Sequence, residues 1–192
     1  MKRSNIKEHI TATAAHLFYT QGYNRTGVNE IVAKSDIAKA TLYHHFKSKE
    51  DICMAYLNDR HDKFMLGLKE FIAEKTDSKQ QLLGIFDYVR DRYREAPFCG
   101  DWGLKTLSEI TKEEEEIWNL IKKQKKELLF FLGEIVGRTV ANVSKAETEK
   151  ISGAIYMLFQ SAMMETYLHE NDWPIHLAKS VVPSVLQDVQ LL

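Results

Sequence analysis

Side chains between residues 26 and 49 carry groups that can bind phosphate and the edges of nucleic-acid bases. Hydroxyl, imidazole and ammonium groups all donate hydrogen bonds to phosphate oxygens. The candidates for such contacts are Thr26, Thr41, Tyr43, His44 and Lys49. Lys39 can donate to guanine or to phosphate, and the small Ala40 permits close approach to a thymine methyl group. The chemistry of this segment therefore suits recognition of a nucleic acid.

These side chains can reach a nucleic acid only if a short helix turns them outward and is anchored on its other side. Leu42 and Phe46 lie four residues apart, a spacing that places both on one helix face. If that face packs inward, the opposite face points outward. Its residues are Lys39, Ala40, Tyr43 and His44.

The residues before this helix predict two further helices. An apolar stripe over residues 6–18 is followed by Gly22, which suits a helix C-terminus. Thr26 is placed to cap a short helix that contains Val28 and Ile31. Two short helices in tandem after a longer one predict a helix-turn-helix. The second short helix of that motif enters the DNA major groove, which is about 12 Å wide.

Charge is distributed unevenly along the 192 residues. The formal net charge is −1, but residues 1–50 contain eight Lys or Arg and four Asp or Glu, which gives this segment a charge of +4. The rest of the chain therefore sums to −5. We expect the N-terminal quarter to face a polyanion.

The remainder of the chain also predicts helices. Only three prolines occur, and apolar residues recur at helical spacing between them. Ser48 is placed as the N-cap of a long helix that runs toward Glu74. The fold class is therefore predicted to be all-α.

Four motifs between Ile10 and Ile52 resemble the DNA-binding domain of the tetracycline-repressor (TetR) family. They are AAHLF at 14–18, QGY at 21–23, TGVNEI at 26–31 and TLYHHFKSKE at 41–50. The resemblance implies a three-helix helix-turn-helix DNA-binding domain over residues 1–50. It also implies a helical ligand-binding and dimerisation domain over residues 51–192.

The resemblance implies roles for individual residues as well. Those matching Lys39 and Ala40 contact bases, and the five hydroxyl, imidazole and ammonium candidates contact the DNA backbone. Two positions depart from the family pattern. Asp36 stands where the turn usually has glycine, and Ala38 stands where the recognition helix usually has a Ser or Thr cap. Asp tolerates positive φ better than most residues, so neither departure abolishes the fold.

The last two predicted helices, near residues 147–170 and 174–191, indicate a two-fold homodimer. They match in position the pair that forms the dimer interface in the family, and their surplus of apolar residues requires a partner. Two-fold symmetry places two recognition helices about 34–36 Å apart, so the operator is expected to be an inverted repeat of double-stranded DNA.

A small-molecule effector is expected to bind between the predicted helices 52–74, 82–94 and 102–136 and to favour a spread arrangement of the DNA-binding heads. Large side chains at helical spacing are the candidate pocket walls, although the same pattern is typical of plain core. They are Tyr88, Tyr93, Phe98, Trp102, Trp118, Met163 and Tyr167. The resulting hypothesis is a ligand-responsive repressor.

Two other regulatory functions fit the same sequence. One is a DNA-binding regulator controlled by a protein partner or by no effector, and the other is an adaptor that has lost DNA binding. An enzyme is not supported, because the chain contains no nucleophile elbow, phosphate-cradling glycine loop or paired metal ligands. No cofactor is expected.

The remaining features favour a cytoplasmic chain without metal. No apolar run reaches the roughly 18 residues of a membrane span, and the N-terminus lacks the pattern of a signal peptide. Adjacent His44 and His45 point in different directions on a helix, which disfavours a shared metal ion. Cys53 and Cys99 are expected to be reduced thiols, with redox sensing by Cys99 as the alternative.

Overall fold

The computed structural model describes residues 3–95 and 97–187, with side chains described from residue 6 onward. Within these ranges the chain forms nine α-helices and no strand, which confirms the predicted fold class. The helices are α1 (Arg3–Gln21), α2 (Val28–Lys34), α3 (Lys39–His45), α4 (Lys49–Ala73), α5 (Ser78–Glu95), α6 (Trp102–Glu109), α7 (Glu115–Thr139), α8 (Lys145–His169) and α9 (Trp173–Gln187). None of these described helices combines the length and the apolar character that crossing a bilayer requires.

The helices are grouped into two compact units. The first unit comprises residues 1–63 and 102–123, and the second comprises residues 64–101 and 124–192. Helices α4 and α7 each contribute to both units. This grouping divides the chain differently from the predicted functional boundary at residue 50, which stays a prediction.

The core of the first unit forms around α1. Phe18 lies at its centre, with its ring centroid 5.5 Å from that of Tyr23 and 5.6 Å from that of Tyr56. The other buried apolar side chains of α1, α2 and α3 include Ile10, Ala14, Leu17, Ile31 and Leu42. Burial of an apolar side chain of this size contributes roughly 1.5–3 kcal/mol. Helix α1 packs against α2, and α2 packs against α3.

The predicted start of α4 is confirmed, and the predicted start of α2 is wrong. The Ser48 hydroxyl accepts a hydrogen bond from the Asp51 backbone N–H at 3.1 Å, as an N-cap does. In α2 the N-cap is Gly27, and it forms no side-chain cap. Thr26 instead turns inward and donates its hydroxyl to the Gly22 carbonyl at 2.7 Å. A threonine hydroxyl at such a turn can donate a hydrogen bond to a preceding carbonyl or accept one from the N–H groups of the following helix. The residue type alone therefore did not determine the N-cap.

The turn between α2 and α3 has the two departures that the sequence indicated. Asp36 adopts φ +50°, in the left-handed region where this position usually has glycine. Ala38 is the N-cap of α3 and has extended backbone geometry, but its side chain cannot accept a hydrogen bond. The helix that presents the candidate residues therefore begins without a side-chain cap.

Adding the missing cap should stabilise the chain. Ala38→Ser supplies a hydroxyl at the N-cap position, and the expected gain is about 1 kcal/mol in the free energy of unfolding. Chemical denaturation followed by circular dichroism measures this change. The control is Ala33→Ser. It places the same side chain at an exposed position within α2, away from the N-cap, and should give no gain in stability. Equal effects of the two substitutions would contradict the assignment of Ala38 as the N-cap.

The core of the second unit is aromatic and is flanked by ion pairs between helices. Phe159 of α8 packs against Phe86 of α5 and Phe64 of α4, with ring centroids 6.0 and 6.2 Å apart. The Lys179 ammonium on α9 donates to both carboxylate oxygens of Asp87 on α5 at 2.7 Å. Helix α8 begins with a capping box in which the side chains of Ser144 and Glu147 each accept a backbone N–H from the other residue.

Candidate nucleic-acid interface

The short helix α3 presents two chemically different faces. Leu42 is 0% exposed and Phe46, which follows the helix directly, is 4% exposed. The opposite face is open to solvent, and Tyr43 is 46% exposed on it. That exposed face consists of Lys39, Ala40, Tyr43 and His44. The predicted division between an anchored and an outward face is therefore what the structure shows.

The partly exposed Lys49 packs on the buried ring of Tyr23 beside this face. The Lys49 ammonium lies 4.1 Å from the centroid of the Tyr23 ring, within the range of a cation–π interaction. Burial is the main reason that the pKa of Lys49 is lowered, and the Glu109 and Glu114 carboxylates oppose that shift. The contact fixes the position of the ammonium at the first residue of α4, close in sequence to the outward face of α3.

The other predicted phosphate contacts differ in how far they are exposed. Thr41 is partly exposed in the first turn of α3. Thr26 is 0% exposed, and its hydroxyl also accepts a hydrogen bond from the Gln21 amide at 3.3 Å. Thr26 therefore has a structural role in the turn that joins α1 to α2, and its contact with DNA stays a prediction.

The rings of His44 and His45 meet edge to face, with centroids 5.2 Å apart. His44 belongs to the exposed face and His45 is partly buried. Across the residues that the structure describes, no group of three or more His, Cys, Asp or Glu side chains is arranged to hold a metal ion. The edge-to-face packing of the two rings is the contact that the structure shows between them.

Hydrogen bonds from α6 to the end of α1 and the turn after it support the helix-turn-helix, and nothing in the sequence indicated them. The Glu109 carboxylate accepts the Asn24 backbone N–H at 2.7 Å, and the Glu109 carbonyl accepts the Asn24 side-chain amide at 2.6 Å. The Lys105 ammonium donates to the Tyr19 carbonyl at 2.9 Å. Together these contacts hold the turn that leads from α1 into α2.

Gly22 is the residue of this turn that tolerates substitution least. Its φ is +100°, and a Cβ atom placed there would lie 2.5 Å from Oε1 of Glu109. Gly22→Ala should therefore lower the free energy of unfolding by about 2 kcal/mol, mostly through backbone strain. Thermal or denaturant unfolding of the full chain tests this expectation.

A second glycine provides a control of opposite sign. Gly137 lies inside α7 with open space around the position of a Cβ atom. Gly137→Ala should raise stability by about 0.5–1 kcal/mol, because alanine favours a helix interior over glycine. If Gly22→Ala also left stability unchanged or raised it, the turn would not have the constrained geometry described above.

Comparison with known proteins matches the segment that forms this interface. Residues 10–56 fit the profile of the family described as bacterial regulatory proteins, tetR family. These residues include most of α1, the whole of α2 and α3, and the start of α4. Residues 10–56 therefore form a DNA-binding segment of the TetR type. This matched segment contains every residue predicted to contact DNA.

Two relatives of known sequence match less than half of the chain. The HTH-type transcriptional regulator QacR of Staphylococcus aureus is 42% identical over 77 residues, which are 40% of this chain and 41% of QacR. The HTH-type transcriptional activator FasR of Mycolicibacterium smegmatis is 27% identical over 93 residues, which are 46% of this chain and 42% of FasR. The matches thus span about two fifths of each relative.

Solved structures extend the likeness in fold to nearly the whole chain. The crystal structure of a TetR-family transcriptional regulator from Streptomyces coelicolor superposes with a TM-score of 0.88 over 97% of this chain and 96% of that protein. The two sequences are 21% identical. At that identity the likeness concerns the fold, an N-terminal helix-turn-helix followed by a helical C-terminal part.

The seven predicted effector-pocket residues are divided between the two units. Trp102 and Trp118 belong to the first unit, where each is partly exposed. The other five belong to the second unit and are Tyr88, Tyr93, Phe98, Met163 and Tyr167. The sequence alone did not indicate this division, because periodicity assigns residues to faces and not to compact units.

Within the second unit the predicted residues lie in different surroundings. The rings of Tyr93 and Phe98 meet edge to face with centroids 5.5 Å apart. The Tyr88 ring packs against Phe71 at 5.6 Å, which is a core contact. Met163 is buried and Tyr167 is 41% exposed. Their function as pocket walls stays a prediction.

Cys53 is a buried thiol whose reactivity burial suppresses. It is 0% exposed, and burial is the main reason that its pKa rises to about 12. Because the thiolate is the reactive form, alkylation by iodoacetamide at pH 8 should leave Cys53 unmodified in the native chain. Peptide mass spectrometry measures the modification, with the guanidinium-unfolded chain as the control. Equal rates in both states would show that Cys53 is accessible.

Proposed function

We propose that this chain is a sequence-specific DNA-binding regulator that acts as a homodimer and releases its operator when a small molecule binds. The observation that supports this most strongly is the outward face of α3. A short helix whose exposed side is small or polar and whose other side is anchored can enter the major groove. Leu42 and Phe46 provide the anchor, and Lys39, Ala40 and Tyr43 are left to meet the DNA.

Each exposed residue has a role in the proposed complex. Lys39 and Ala40 read bases, since an ammonium can donate to guanine and a methyl side chain can meet a thymine methyl group. Thr41, Tyr43, His44 and Lys49 contact phosphates and set the register of the protein on the duplex. Thr26 would act on phosphate only from the buried turn that it stabilises. Because the partner is DNA, the proposal places the chain in the cytoplasm.

The proposed dimer uses an exposed stripe on each of the last two described helices. On α8 the stripe contains Met157 and Leu168, which are 70% and 71% exposed. On α9 it contains Trp173 and Leu177, which are 46% and 55% exposed. Ser161 and Met164 lie between the two α8 residues on the same face of that helix and add no charge to the stripe. Large apolar side chains exposed on two adjacent packed helices call for a partner, and a second copy of the chain supplies the same surface.

Effector control requires different affinities in the two states of the dimer. A ligand releases DNA only if it binds the released arrangement more tightly than the operator-bound one. A near-complete switch needs a difference of roughly 10⁴-fold. We propose repression as the direction of regulation, although the relative FasR is a transcriptional activator by name.

Selection of bound duplexes from random DNA tests the proposed function directly. The purified full chain should enrich an inverted repeat, and its affinity should fall steeply with salt because phosphate contacts release counterions. A small-molecule screen for release of the selected duplex follows. An adaptor without DNA binding would enrich no sequence and show no salt slope. A regulator without an effector would enrich the inverted repeat and would remain bound to it in the presence of every compound screened.

A further inference from the structure

The second unit contains a buried polar cluster that the proposed function does not yet use. It consists of Asp101, Lys125 and Gln160, and the side chains of the first two are 2% and 18% exposed. The Lys125 ammonium pairs with the Asp101 carboxylate and also donates to Oε1 of Gln160 at 3.1 Å. Gln160 is 8% exposed on α8. Three polar side chains from α7, α8 and the segment before α6 thus meet within the second unit.

The orientation of the Gln160 amide follows from this contact. An ammonium group has three donors and no acceptor, so only the carbonyl oxygen of the amide can face Lys125. The other end, Nε2, has two N–H donors. It is buried, and it has no hydrogen-bond partner among the residues that the structure describes. Buried donors in folded proteins are almost always satisfied, so this nitrogen calls for an acceptor that the described chain does not supply.

The cluster adjoins several of the predicted pocket walls. A Cβ atom at Gly100 would lie 3.1 Å from the sulfur of Met164 and 3.3 Å from Cβ of Tyr167, so the segment before Asp101 lies directly against α8. Met163 is buried on α8 about one turn after Gln160. Apolar and aromatic side chains beside a single convergent donor make up the usual composition of a small-molecule site.

A tyrosine adds a second polar group to the same region. Tyr156 lies four residues before Gln160 on α8 and therefore shares its side of the helix. Burial raises the pKa of Tyr156, and the nearby Asp101 carboxylate raises it further. Its hydroxyl therefore stays protonated near the cluster at neutral pH.

We propose that Gln160 Nε2 is the hydrogen-bond donor that anchors the effector, which is a neutral molecule with a carbonyl-type acceptor on an aromatic or aliphatic body. This inference rests on the effector control proposed above and adds the chemical class of the ligand. A neutral ligand is favoured because Asp101 balances the charge of Lys125. An anionic ligand would meet the Asp101 carboxylate and gain little from the ammonium.

Three small probes of similar shape test the proposed class on the full chain. Acetophenone has the carbonyl, ethylbenzene lacks it and benzoate has a charged carboxylate. Acetophenone should bind about tenfold more tightly than ethylbenzene, which corresponds to one neutral hydrogen bond, and should shift the side-chain amide resonances of Gln160 in an NMR titration. Gln160→Met keeps the length of the side chain without the amide and serves to assign those resonances. In this variant the preference for acetophenone should disappear.

A second variant tests the charge argument independently. Asp101→Asn has nearly the same shape and removes the carboxylate that faces Lys125. In this variant the affinity for benzoate should rise by about tenfold or more, because the ammonium is no longer balanced by Asp101. The wild-type chain should prefer the ketone, and the variant should prefer the carboxylate.

Several results would overturn the inference. They are equal binding of acetophenone and ethylbenzene, binding of neither at millimolar concentration, and a ketone preference that persists in Gln160→Met. A buried water on Nε2 would give the first of these results. Selection of an operator by the wild-type chain is measured separately, so failure of DNA binding and failure of ligand recognition remain distinguishable.

Discussion

Lys39→Ala is expected to lower operator affinity by about 10- to 100-fold, because one good contact between a side chain and a base contributes roughly 1–3 kcal/mol. Lys39 is exposed on the outward face of α3, so the free energy of unfolding should stay within about 0.5 kcal/mol of the wild-type value. Fluorescence anisotropy with a labelled operator, at one fixed salt concentration, measures the affinity.

The pattern of loss distinguishes a base contact from a phosphate contact. If Lys39 reads a base, the variant should also lose discrimination at one base pair in each half-site, when operators with single substitutions are compared. Tyr43→Phe removes only a hydroxyl from the same face. It should weaken binding to all these operators by a similar factor, because a phosphate contact carries no sequence information.

Lys63→Ala is the matched control for charge. Lys63 lies on α4 in the first unit, its side chain is 72% exposed, and it pairs with Asp59 four residues earlier. Its removal lowers the net charge as Lys39→Ala does but leaves the face of α3 intact. Affinity should therefore change little at moderate salt. Equal losses in the two variants would mean that long-range charge, and not the face of α3, is responsible for binding.

The sequence was sufficient to predict the outward face of α3 because that face depends on residues close together in the chain. Leu42 and Phe46 are four residues apart, and that spacing fixes which side of α3 is buried. The positive φ of Asp36 was accessible through the resemblance to the TetR family, in which this turn position usually has glycine. Such features depend on neighbours within one or two helical turns.

Contacts between distant segments could not be obtained in the same way. Asn24 and Glu109 lie 85 residues apart, and neither residue type nor spacing indicates that they meet. Thr26 shows the same limit on a shorter scale, because its hydroxyl had two possible partners and packing selected Gly22 over the start of α2. The cluster around Gln160 depends on three segments meeting in the folded unit. Neither residue type nor periodicity indicated which polar groups of α7 and α8 face one another.

Replacing Leu168 and Leu177 together by aspartate is expected to convert the proposed dimer to monomer. Both side chains are more than half exposed in the single chain, so their substitution should leave the fold of the subunit intact. In the dimer each carboxylate would be buried without a partner, and the two-fold axis would double the cost. The dissociation constant of the dimer should rise by at least about 100-fold, which sedimentation equilibrium measures.

Leu66→Asp is the matched control for this substitution, because Leu66 is 60% exposed on α4 in the same compact unit but does not belong to α8 or α9. That variant should remain as dimeric as the wild type. If instead it dissociated, or if the double variant stayed a dimer, the interface would lie elsewhere on the chain.

Loss of the dimer should also be visible in DNA binding, even though α3 is unchanged. A dimer joins two recognition helices, so the second half-site binds at a high effective concentration once the first is occupied. A monomer loses this advantage and should bind a full operator hardly better than an isolated half-site. The wild-type chain should prefer the full operator by about 100-fold or more. The ratio of the two affinities therefore reports the α8–α9 interface through the DNA, independently of any measurement of mass.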